Sequence, residues 1–187
     1  MILPMLEGVA LPLIRATVLV RSGNRGAGAG IVWQPGGLVI TCAHVVQSEA
    51  TTVELFDGRR YEARLVGRDR RCDLAALAVE ADDLSAAAPG TSTGLRVGEL
   101  VVAVGHPLGV PHALGLGIVQ AQGNGEWLRA DVRLAPGNSG GPLADSRGRV
   151  VGVNAMVVSG LALAVPVETV ERFVARIGRA PSGREAA

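Results

Sequence analysis

Ser139 stands in the segment APGNSGGP, residues 135–142, where a hydroxyl is set among glycines on a turn that can bring backbone N–H groups close to a bound molecule. A serine hydroxyl is a weak nucleophile at neutral pH, so it needs a base to take its proton and donors to stabilise the oxyanion its attack creates. The backbone of Gly137, Asn138 and Ser139 is the candidate oxyanion hole. Taken by itself, the motif also fits a glycine-rich hairpin turn with an incidental serine. His44, in LVITCAHVV, follows an apolar strand-like run at a turn, and Asp73, in CDLAALAV, heads another. Each has a bland alternative, a satisfied imidazole or a strand-start carboxylate, but the three together suit general-base chemistry on the serine.

The order of these residues separates the serine hydrolase types. Residues 137–141 also satisfy the G-x-S-x-G elbow of the α/β-hydrolases, but that type needs its histidine after the serine, and His44, His106 and His112 all precede Ser139. The subtilisin order needs an aspartate ahead of the histidine, and no Asp precedes His44. A Ser-Lys dyad is excluded because all 18 basic residues are arginine. The order His, Asp, Ser remains, the chymotrypsin order, with His44 as base, Asp73 as its orienting partner and Ser139 as nucleophile.

These residues need a scaffold of strands. The chain has 187 residues, 48% of them hydrophobic, enough to bury a proper core without a metal or disulfide staple. Its 26 glycines punctuate short Val/Leu/Ile-rich runs, the pattern of an all-β protein. The runs include Ala16 to Arg21, Leu38 to Thr41, Leu74 to Val79, Leu100 to Gly105, Val150 to Val158 and Gly160 to Val165, about six to each half, which suits two barrels. A first barrel is expected over about 12–85 and a second over about 96–166. The Ala- and Asp-rich stretch 81–95, with Pro89, Gly90 and Gly94, connects them. Only residues 167–178 show helical period, with Val167, Val170, Phe173, Val174 and Ile177 on one face; this predicts a short C-terminal helix against the second barrel. The tail 179–187 has nothing to bury and is expected to be mobile.

The formal net charge of +1 disfavours nucleic acid as a partner, and the cluster Arg68, Asp69, Arg70, Arg71 is read as a solvated loop. The apolar N-terminus is broken by Pro4 and Pro12, meets Glu7 early and has no basic n-region, so neither a signal peptide nor a membrane span is expected. An intracellular location is the default, and a chain trimmed of its leader would read the same. Cys42 and Cys72 have no metal-ligand spacing, and a zinc HExxH motif is absent, so neither metal nor cofactor is expected. A bond between these cysteines would need their Cα atoms closer than about 7 Å.

From about Arg15 to Phe173 the chain resembles the HtrA (Deg) family of trypsin-like serine proteases. GAGAGIVW with LVITCAHVV, RDRRCDLAALAV, RVGELVVAVGHPLG, GIVQA, RADVRLAPGNSGGPL, GRVVGVN and LALAVPVETVERF follow in the family's order. The resemblance implies two six-stranded antiparallel β-barrels, a crevice between them holding His44 and Asp73 from the first and Ser139 from the second, and cofactor-free peptide hydrolysis through an acyl-enzyme. No PDZ segment follows, so peptide sensing and cage formation are not carried over. Arg133 and Ala135 stand where the family has a small residue and Asn, and Arg133 is expected to face solvent. His106 replaces a usual Asn and is read as a turn residue.

By the same resemblance Leu134, Asn154, Ala155, Met156, Leu161 and Leu163 line the primary substrate pocket. Their small or apolar side chains predict cleavage of polypeptides after aliphatic residues, because burying an unpaired charge there is costly. The short segment 157–160 leaves little material for order–disorder gating. Family members are commonly trimers through their N-terminal part, and Leu3, Met5, Leu6, Val9 and Leu11 make a homo-oligomer an expected option here. The competing reading is a dormant trypsin-fold module that binds peptides without cutting them.

Overall fold

The computed structural model describes residues 3–23, 26–122 and 127–178; the tail expected over 179–187 lies outside them. Twelve strands build two closed antiparallel barrels. The first runs β1 (Thr17–Ser22), β2 (Gly26–Gln34), β3 (Leu38–Cys42), β4 (Thr51–Glu54), β5 (Arg60–Asp69) and β6 (Leu74–Val79), closed in the order β1-β2-β3-β6-β5-β4. The second repeats that order with β7 (Leu100–Gly105), β8 (Ala113–Gln122), β9 (Leu128–Val132), β10 (Pro142–Asp145), β11 (Val150–Val158) and β12 (Leu161–Pro166).

Valine, isoleucine, leucine and alanine side chains fill each barrel, and β3, β6, β7 and β10 are buried along nearly their whole length. Val18, Val20, Ile31, Ile40, Leu74 and Leu77 are buried in the first, and Val101, Val119, Ala130, Leu143 and Val151 in the second. Each such Val, Leu or Ile contributes about 1.5–3 kcal/mol by leaving water. Residues 80–99 belong to no strand of either barrel and are pinned along the second, where Gly90 N–H donates to Val150 O (2.8 Å) and Val150 N–H to Ala88 O (2.8 Å).

A helix, α1 (Leu3–Ala16), occupies the N-terminus, where the sequence shows no clear helical period. Pro12 lies inside it and forfeits one backbone bond. Tertiary contacts offset the loss: Leu13 and Ala16 are buried, Thr17 Oγ1 donates to Leu13 O (2.7 Å) at the helix end, and Val9 packs against Gly148. Leu11 of this helix is exposed.

The second helix, α2 (Val167–Ile177), buries Val167, Val170 and Phe173. It packs on both barrels and not on the second alone. A Cβ on Gly67 of β5 would touch Ile177 and Phe173, Arg176 pairs with Asp69 at 2.5 Å, and Glu168 accepts from Ser92 N–H (2.8 Å) in the connection. Among the described residues no helix is long and apolar enough to cross a membrane.

Candidate active site

β3 ends at Cys42, and the chain turns at once, so His44 emerges at the rim of the first barrel with a half-exposed side chain. Asp73 closes the turn before β6, the strand paired with β3. It holds a left-handed φ of 54°, a conformation aspartate tolerates better than most residues. That conformation points both carboxylate oxygens at one residue. Oδ2 meets His44 Nδ1 at 2.7 Å and Oδ1 accepts the His44 backbone N–H at 3.0 Å. Ala43 N–H donates to Asp73 O (3.0 Å), fixing the two turns together. The hydrogen bond that His44 donates to Asp73 raises the His44 pKa above its ordinary 6.5, against an opposing contribution from partial burial.

The loop from β9 to β10 carries Ser139 and is fastened to the first barrel. Ala29 N–H donates to Ser139 O (2.8 Å), and a methyl on Gly140 would run into Ala29 O and Thr41 Oγ1. The Asn154 carbonyl accepts from Gly140 N–H at 2.7 Å and from the Cys42 thiol at 3.3 Å, so one oxygen joins the serine loop to the strand that presents His44. Ser139 Oγ donates to Ala155 O at 2.9 Å, and no hydrogen bond links it to His44.

Gly137 takes φ 107°, closed to residues with a side chain, and its α-carbon lies against the His106 carbonyl. The backbone N–H groups of Gly137 and Ser139 donate to no described residue. The N–H of Asn138, also expected in the hole, is taken by Ala135 O (3.0 Å), so this residue secures the turn instead.

The residues expected to line the pocket divide. Met156 is exposed, Leu161 and Leu163 are half-buried, and Leu163 is the cross-strand partner of Met156, giving a small apolar surface. Leu134 packs against the core of the second barrel. Ala155 is buried and presents its carbonyl to Ser139. Asn154 corrects the expectation: it is fully buried, its Nδ2 donates to Pro142 O (2.8 Å), and it braces the serine loop from beneath. β11 is buried at every residue from Val150 to Ala155, so inward and outward positions do not alternate there and Asn154 is covered along with its neighbours. Arg133 is exposed, as expected. Cys42 and Cys72 are both free thiols.

Sequence reasoning missed a pair behind the Gly137 loop. The rings of His106 and His112 meet edge-on at 4.8 Å, and His112 N–H donates to His106 Nδ1 (3.4 Å). His106 Nε2 and His112 Nδ1 are buried with no partner, and burial, then the neighbouring His112, pushes the His106 pKa down to about 4. Their six-residue spacing carried no signal of contact; left-handed φ at Leu108, Gly109 and His112 folds the segment back so that the rings meet.

A double barrel with a His–Asp pair on one half and a glycine-flanked serine on the other defines a class, the chymotrypsin-like fold. The profile of the family described as Trypsin-like peptidase domain matches residues 28–153, and the chain belongs to that family. It is similar to the probable periplasmic serine endoprotease DegP-like of Hahella chejuensis, 38% identical over 158 residues, which are 77% of this chain and 34% of that protein. The putative serine protease HhoB of Synechocystis is 35% identical over 163 residues, 79% of this chain and 39% of that protein. The crystal structure of the serine endoprotease from Yersinia pestis superposes with a TM-score of 0.86 at 28% identity, covering 94% of this chain and 66% of that one. The chain thus spans about a third of the length of the curated relatives it matches.

Proposed function

We propose that the chain is a serine endopeptidase that hydrolyses peptide bonds through an acyl-enzyme. The observation that carries this reading is the His44 Nδ1–Asp73 Oδ2 contact of 2.7 Å beside a serine loop whose Gly137 and Ser139 N–H groups donate to no described residue. Asp73 holds the imidazole with its proton on Nδ1, leaving the Nε2 lone pair to take the Ser139 proton as Oγ attacks the scissile carbonyl. The Gly137 and Ser139 N–H groups receive the oxyanion, a term worth roughly 3–4 kcal/mol of transition-state stabilisation. The imidazolium then protonates the leaving amine, and water, deprotonated by His44, releases the acyl group. No cofactor enters these steps.

The apolar surface of Met156, Leu161 and Leu163 supports cleavage after Val, Ala, Leu or similar residues in unfolded or flexible segments. The names of the relatives, serine endoproteases and proteases, agree with the chemistry.

One observation favours the dormant, peptide-binding reading: the Ser139 hydroxyl is engaged by Ala155 O and not by His44. A fluorophosphonate probe decides between them. The proposal expects labelling of the wild type, none of Ser139→Ala, and turnover of unfolded casein; an unlabelled wild type would leave the dormant module.

A further inference from the structure

Cys42 and Cys72 are not a ligand pair in sequence, but the fold gives Cys42 other company. Its Sγ, one imidazole nitrogen of His44 and one carboxylate oxygen of Asp73 all lie within 4.8 Å of one another. Three points so spaced share a centre no more than about 2.8 Å from each, since 4.8/√3 is about 2.8. Zinc bonds run about 2.3 Å to sulfur and about 2.0–2.2 Å to nitrogen and oxygen, so no ligand closes on the centre by more than about 0.5–0.8 Å, while His44 Nδ1 and Asp73 Oδ2, 2.7 Å apart in their hydrogen bond, part to about 3.3 Å to share a tetrahedral cation. Thiolate, imidazole and carboxylate together select Zn²⁺ or Co²⁺ over Mg²⁺ and Ca²⁺, which prefer all-oxygen shells.

We propose that Cys42 Sγ, His44 Nδ1 and the Asp73 carboxylate form an inhibitory binding site for a thiophilic divalent cation, of which Zn²⁺ is the prototype. The inhibitory part rests on the peptidase reading above; the binding part does not. The half-exposed His44 supplies the entry side, while the buried Cys42 forms the floor.

The proton balance explains why occupancy would stop catalysis. At rest the neutral imidazole carries its proton on Nδ1, toward Asp73, and its free lone pair on Nε2. A cation on Nδ1 takes the electron pair there, so the imidazole proton resides on Nε2, the atom that must accept from Ser139. The base is lost without any ligand touching the serine. The Cys42 thiol gives up its proton as the metal–sulfur bond forms, so each cation bound releases one proton.

Binding is measured on Ser139→Ala protein, where proteolysis cannot interfere. Co²⁺ should bind one per chain with a thiolate-to-cobalt charge-transfer band in the near ultraviolet, and both the band and the released proton should vanish when Cys42→Ala is added. Inhibition is measured on the active protein with Zn²⁺ buffered by a chelator. Wild type should be inhibited at a free Zn²⁺ concentration at least tenfold lower than Cys42→Ala or Cys42→Ser, both checked for cooperative thermal unfolding. Equal inhibition of all three, within threefold, would put the cation on His44 without Cys42 and overturn the proposal, as would Co²⁺ binding without a thiolate band. A thiolate band in a chain that no serine-directed probe labels, with or without chelator, would sink the peptidase reading and the inhibitory role while the cation site stood.

Discussion

Ser139 Oγ lies 2.9 Å from the carbonyl oxygen of Ala155 and gives its hydrogen to it. In the proposed reaction that bond must break before His44 can act, since one hydroxyl hydrogen cannot serve two acceptors. A phosphonate adduct should therefore show Oγ turned away from Ala155. Ser139→Ala should lower kcat by about 10⁴-fold or more while leaving the thermal midpoint within a few degrees of wild type, because the hydroxyl makes a single neutral hydrogen bond. A variant with residual turnover near wild type would place the nucleophile elsewhere.

The His44–Asp73 contact sets the acid limb of activity. His44 must be neutral to act as base, and Asp73 raises its pKa, so the midpoint of kcat/KM against pH should lie above 6.5. Asp73→Asn should move that midpoint down and lower kcat by about 10⁴-fold. For stability the sign is opposite. A raised imidazole pKa stabilises the fold fully below pH 6.5 and the benefit is lost as pH rises through the folded-state value. pH-rate profiles of both proteins check the first statement and denaturant midpoints between pH 6 and 8 the second.

His106 titrates in the other sense. Its pKa is depressed from 6.5 to about 4, so the unfolded chain binds the proton more readily and stability falls as pH drops through that window. The loss at pH 4 should reach roughly 2–3 kcal/mol after allowance for solvent screening. The groups around the ring are His112, Glu54 and Arg21; Glu54 partly opposes the shift. His106→Asn should flatten this dependence, read by urea unfolding at pH 4, 5 and 6.5. An unchanged slope would show that the acid sensitivity lies elsewhere.

Gly137→Ala should lower turnover selectively. Its φ of 107° is closed to alanine, and the methyl would collide with His106 O, so the loop must shift and misaim the two N–H donors. A drop of about 10²–10³ in kcat with little change in KM is the expected signature. Equal falls in kcat and in folded fraction would instead indicate general unfolding.

The apolar surface near Ser139 should be read by a peptide library. Val, Ala and Leu should dominate at the cleaved position, and Met156→Asp should depress that preference more than tenfold. A profile led by Arg or by acidic residues would refute the assignment.

Strand positions were legible because small β-branched runs between glycines leave few other structures open. Leu74–Val79, Leu100–Gly105 and Val150–Val158 have the expected bounds. The contacting pair His44 and Asp73 was legible through chain order and strand-end placement. Three features were not. α1 defeats its prolines by burying Leu13 and Ala16 against the barrels, which local propensity does not register. Asn154 is covered because β11 is buried at every residue from Val150 to Ala155, and the alternation a sequence pattern assumes does not hold for such a strand. The His106–His112 contact depends on left-handed backbone at Leu108, Gly109 and His112, and only the glycine announces that conformation in the sequence.

The Asn154 carbonyl serves donors from both halves of the molecule. Because it is a main-chain oxygen, no substitution at that position short of one that moves the backbone can delete it. Its hold on the serine loop is thus main chain to main chain and available to any sequence, whereas its hold on the imidazole's strand runs through the Cys42 thiol and ends with any residue there that cannot donate.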